Sequence, residues 1–98
     1  MQSKTLIYDG TFDGFLSAVF HVYEYKLKDV TIKNKFSVQS QLFSDNENII
    51  TETEKANRVW NGIKNKTSRT GSYQLYYTFL SEKEGVENIM LDAMRYIL

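Results

Sequence analysis

The sequence predicts a predominantly helical α+β domain, with a small antiparallel sheet of two or three short strands packed with about four helices. Three observations predict it. A short β-favouring run is followed by a long stretch with apolar residues at helical spacing. The remaining β-favouring pieces are too brief to build a large sheet. Two capping-box patterns further on mark the starts of later helices.

The first strand is Lys4-Thr-Leu-Ile-Tyr8, closed by the turn pair Asp9-Gly10. Residues 11–28 then place Phe12, Phe15, Leu16, Val19, Phe20, Tyr23 and Leu27 on one helix face. Asp13, Ser17, His21, Glu24 and Lys28 fall on the opposite side. Asp9 or Thr11 serves as N-cap, and Asp13 in the first turn suits the helix dipole. Gly14 is the odd residue. Glycine early in a helix costs about 1 kcal/mol relative to alanine, so close approach of another backbone is expected there.

Val30-Thr-Ile-Lys33 alternates as a short strand and Asn34-Lys35 suits a turn. Leu42-Phe43 offers an apolar anchor, residues 44–48 read as a polar loop, and Ile49-Ile50 as an extended pair bonded to the first strand. Thr51 and Glu54 form one capping box, opening a helix with Ala56, Val59, Trp60 and Ile63 on its buried face and fraying over residues 62–67. Residues 73–80 are apolar nearly all round, through Tyr73, Leu75, Tyr76, Tyr77, Phe79 and Leu80, so that helix is expected to be central and well covered. Ser81 and Glu84 form the second box. The final helix faces inward with Val86, Ile89, Met90, Ala93 and Ile97, with Met94 alongside.

A chain of 98 residues fits a single domain, 1–98, and its 14% aromatic content suits a core of few, large side chains. Twelve basic and twelve acidic residues cancel, so net charge carries no nucleic-acid or membrane footprint. Without cysteine there is no disulfide framework, thiolate nucleophile or Cys-based zinc site. No apolar run has membrane-spanning length, and a cytoplasmic location is expected. The helix pattern runs to Leu98 without a stop signal, so the chain is expected to be the N-terminal fragment of a longer protein, or to dock by its end.

Charge is segregated despite the zero total. Residues 45–54 hold four acids and no base, residues 55–81 hold five bases and no acid, and residues 82–92 return to acid. The basic block contains Lys64, Lys66 and Arg69 among Thr, Ser and Gly, followed by the tyrosines. These three cations are the candidate phosphate contacts, with tyrosine rings available to stack on bases. The same residues also suit a solvated interhelical turn. No catalytic constellation emerges: His21 is the sole histidine, and Asp9 and Asp13 are explained by capping as readily as by acid–base work. No cofactor or metal site can be assembled.

The stretch Tyr8-Asp9-Gly10-Thr11-Phe12-Asp13-Gly14-Phe15-Leu16, continuing through Ala18-Val19-Phe20 and Tyr23-Glu24, resembles the N-terminal signature of a bacterial family described as probable DNA metabolism proteins, built on a domain of unknown function. Leu42-Phe43, Thr51 with Lys55-Ala56-Asn57-Arg58-Val59, and Phe79-Leu80-Ser81-Glu82 with Gly85 extend the resemblance in order. Tyr8, Asp9, Gly10, Gly14 and Arg58 are the signature residues, without an assigned role. The resemblance implies association with a radical SAM protein of DNA repair or modification, and kinship with domains fused to uracil-DNA glycosylase-like domains. Family members continue well beyond this length, and their later Glu/His/Arg-rich motifs have no counterpart here, so no catalytic residue carries over. Three expectations follow: a non-catalytic accessory domain in DNA metabolism, the N-terminal half of a DNA-acting enzyme with its chemistry beyond residue 98, or a module that self-associates through the final helix.

Overall fold

A computed structural model describes residues 4–36 and 45–98. The elements run β1 (Lys4–Tyr8), α1 (Phe12–Glu24), β2 (Val30–Asn34), β3 (Asp45–Asn48), α2 (Thr53–Lys66), α3 (Arg69–Leu80) and α4 (Val86–Ile97). The mixed α+β class stands, but the sheet is parallel, not antiparallel. Its order is β2-β1-β3, with Leu6 opposite Ile32 on one side and Glu47 on the other. The reason is α1, which carries the chain back along the sheet so that β2 starts at the same end as β1. Period-2 alternation in so short a strand reports which residues face the core and nothing about direction.

β3 lies where a polar loop was expected. Its sequence, Asp-Asn-Glu-Asn, has poor strand propensity, and pairing with the central strand overrides it. Ile49 does bond to the first strand, its N–H donating to the Ile7 carbonyl at 2.8 Å. The Leu42-Phe43 anchor lies outside the described residues.

α1 is shorter than its apolar pattern, ending at Glu24. Lys26 takes a left-handed φ of 53°, and the Leu27 N–H reaches back to the Val22 carbonyl at 2.9 Å, closing a Schellman-type end without glycine. Neither capping box forms. Glu52, not Thr51, precedes α2 and makes no side-chain cap, while Ser81 ends α3 and Gly85, at φ 78°, precedes α4. α2 continues unbroken through Gly62 to Lys66. α3 starts four residues before Tyr73, at Arg69, because the Ser68 hydroxyl caps it by accepting the Gly71 N–H at 2.9 Å.

The core joins Leu6, Tyr8 and Ile32 of the sheet to Phe15, Leu16 and Val19 of α1, with Ala56, Val59 and Ile63 of α2 and Met90 and Met94 of α4. α3 is not the covered, central helix expected. Only Ser72 and Phe79 are buried, whereas Tyr73, Leu80 and Tyr77 are 49%, 50% and 65% exposed. A domain with one small sheet has no second layer to cover an all-round apolar helix. In α4 the buried row is Val86, Met90, Leu91 and Met94, leaving Ile89 outside. That row is chosen by β2. The Asn88 side chain accepts from the Ile32 N–H at 3.0 Å and donates to the Ile32 carbonyl at 3.4 Å, occupying the outer edge of β2 as a neighbouring strand would. Arg95 adds a bond of 2.9 Å to the Leu27 carbonyl.

Candidate functional site

Three places bring polar or exposed groups together. The first is the carboxyl end of the sheet, where the signature residues meet. It lies beyond the carboxyl ends of parallel strands, the side on which open parallel sheets usually form their crevices. Asp9 follows β1. Its Oδ1 accepts from the Thr11 N–H at 2.9 Å and the Thr11 hydroxyl at 2.6 Å, and its Oδ2 accepts from the Thr51 hydroxyl at 2.7 Å. The Thr11 hydroxyl oxygen in turn caps α1 by accepting the Gly14 N–H at 2.9 Å. Burial pushes the Asp9 carboxyl up, but the bonds from Thr11 and Thr51, with the charge of Lys35, outweigh it and hold the group below its ordinary value.

Gly14 is explained by this arrangement. A methyl group there would overlap Asp9 Oδ1 and stand 2.9 Å from its Cγ. The close approach is therefore made by a side-chain carboxylate, not by a backbone. Gly10, at φ 91°, makes the turn and faces the Asn34 amide. Tyr8 is buried, with its hydroxyl donating to Glu87 at 2.7 Å; burial and then Glu87 raise its pKa far above that of a free phenol. Arg58 is exposed on α2 and pairs loosely with Glu54 at 3.5 Å. The signature residues are thus architectural, apart from Arg58, whose side chain is mostly solvated.

The second place is an open groove of about 170 Å³ between α1, β3 and the start of α2. His21 Nε2 lies 3.1 Å from Glu47, whose other oxygen takes Lys4 at 2.8 Å. Lys55 sits 3.0 Å from Glu52, 3.6 Å from Glu24, and over the Phe20 ring. The Lys4 bond first, and His21 after it, hold the Glu47 carboxyl below its ordinary value against the opposing effect of burial. The sequence puts His21 on the polar side of α1, and its partner is not visible there because Glu47 lies on the strand that reads as a loop. Ser17 is also on this wall, buried, donating to the Asp13 carbonyl at 2.8 Å and accepting the Glu52 N–H at 3.0 Å. The groups of the groove are spent on one another. They hold α1, α2 and β3 together, and Ser17 is not poised as a nucleophile.

The third place is the α2–α3 corner and the outer flank of α3. Lys64, Lys66 and Arg69 are all exposed. Lys64 and Lys66 are two residues apart on α2 and so project about 160° apart around its axis, which keeps the three cations from forming one cluster. Arg69 instead joins the tyrosines. Its guanidinium lies 6.0 Å from the Tyr73 ring, Tyr73 is 6.5 Å from Tyr77, and Tyr77 is 6.0 Å from Tyr76. Tyr76 rests edge-on against Phe12 at 5.0 Å, tying this row to the core.

Among the described residues no group of acidic or histidine side chains has the arrangement of a metal site, and no helix is long and apolar enough to cross a membrane. Compared with family models, curated proteins and solved structures, the chain matches none.

Proposed function

We propose that the chain is a cytoplasmic, non-catalytic interaction domain serving DNA repair or modification in bacteria, with the outer flank of α3 as its working surface. The observation that carries this reading is the exposed row Arg69, Tyr73, Tyr77 and Leu80, within a stretch of sequence that has no acidic residue. Exposed rings beside a cation are expensive to leave against water and are typical of surfaces that receive a partner. The setting is supported by the resemblance carried by residues 8–16, which also names the partner class, a radical SAM protein acting in DNA repair or modification. A second reading, self-association through α4, is favoured by Ile89 and Tyr96, 66% and 93% exposed.

One experiment separates them. The tagged chain and its Tyr77→Ala variant are used as baits with cross-linking, scoring DNA, repair proteins and an untagged copy of the chain. Retention of DNA or of repair proteins by the wild type, lost with Tyr77→Ala, is the expected result. Retention of the untagged copy alone favours the second reading. Turnover of a DNA substrate by the purified chain overturns both.

A further inference from the structure

We propose that the outer flank of α3 is a stacking platform for single-stranded nucleic acid, with Tyr73 and Tyr77 receiving bases and Arg69 a neighbouring phosphate. This rests on the reading of α3 as the working surface and adds the chemistry of what it takes. Arg69, Tyr73, Tyr77 and Leu80 fall within about 80° of one another around the helix axis, so they form one stripe. The two rings stand 6.5 Å apart with planes tilted by 45°, and they are roughly half to two-thirds exposed. Tyr76, packed on Phe12, stands beside Tyr77 as a buttress.

Three features select the ligand. The ring spacing is nearly twice the ~3.4 Å rise per nucleotide of a duplex strand, a distance that successive bases reach only when they are unstacked. The stripe is a convex helix surface, which suits splayed bases better than a peptide helix needing a groove. The only charge in the stripe is positive, and residues 55–81 contain no acid, so the local sequence opposes no phosphate backbone. Lys66, three residues before Arg69, is the nearest further cation in the chain.

The test uses the whole 98-residue chain and a fluorescent oligothymidine of about 12 nucleotides, followed by anisotropy at low salt. Expected are tighter binding of the single strand than of a duplex of equal length, and weakening as salt rises. Tyr73→Ala and Tyr77→Ala should each lower affinity about 5- to 150-fold, whereas Tyr73→Phe retains it. Both sites are on the surface, so circular dichroism should show each variant folded like the wild type. An abasic sugar–phosphate strand bound as tightly as oligothymidine overturns the stacking role. Equal affinity of the Tyr→Ala variants, preference for duplex, or absence of binding at low salt also overturns it. If no strand binds but the same variants lose a captured repair protein, α3 remains the working surface and its ligand is a protein. Loss of neither removes both readings.

Discussion

Replacing Gly14 with alanine tests the carboxyl end of the sheet directly. The new methyl would occupy the place of Asp9 Oδ1 and lie 3.0 Å from the Thr11 hydroxyl oxygen, so the carboxylate must leave. Three hydrogen bonds go with it, two from Thr11 and one from Thr51. A bond to a charged group contributes about 1.5–3 kcal/mol when buried. Asp9 is only half-buried and water takes over part of the bonding, so about 1 kcal/mol each is reasonable. Against the ~3 kcal/mol total stands the gain of about 1 kcal/mol from alanine over glycine in a helix. Gly14→Ala should therefore lower the unfolding free energy by about 2 kcal/mol, and the melting temperature by about 10 °C. Urea unfolding followed by circular dichroism measures it. The decisive comparison is the same substitution in an Asp9→Ala background, where the carboxylate is gone and only the 3.0 Å contact with the Thr11 hydroxyl is left; the loss should vanish or turn into a gain of up to about 1 kcal/mol. An equal loss in both backgrounds would refute the argument, because the crowding would then not come from Asp9.

Two further outcomes follow from the same geometry. The Asp9 carboxyl has a folded pKa below its unfolded one, so its stabilisation is present above the unfolded value of about 4 and is lost as pH falls through the folded value. The difference in unfolding free energy between wild type and Asp9→Asn should therefore shrink below about pH 4. Glu47 has the same sign but is present in both proteins, and a pH-independent difference would contradict the assignment. Asn88→Ala should cost about 1–3 kcal/mol by stripping two bonds from Ile32, and should raise light scattering with protein concentration as the β2 edge opens. Unchanged stability and scattering would show that the edge is guarded by something else.

What the sequence could and could not disclose follows from the range of each signal. α1 was legible because seven apolar residues at one period are a local pattern, although Lys26 ends the helix before that pattern does. The direction of the strands was not legible, since strands of four or five residues record facing and not polarity. β3 was missed because four polar residues make a strand only when the central strand is beside them. Tyr73, Tyr77 and Leu80 were assigned to the core by helical spacing alone, and spacing does not say whether a second layer exists to cover them. At the carboxyl end of the sheet the sequence identified the anomaly, Gly14, but not its cause. Asp9 is five residues away and needs the turn geometry to reach it, and Thr51 arrives from 42 residues along the chain.

The two hydroxyl clips, Thr51 to Asp9 and Ser17 to the Glu52 N–H, have an evolutionary consequence. They join residues 42 and 35 apart in the chain, so α1, β2 and β3 lie on an excursion whose two ends are held to each other. Closing a chain loop depends only logarithmically on its length, so that even a doubling costs only about 0.6 kcal/mol. The turn at Asp9 and the entry to α2 are thus fastened to each other directly, and both keep their form when the length of chain enclosed between them changes.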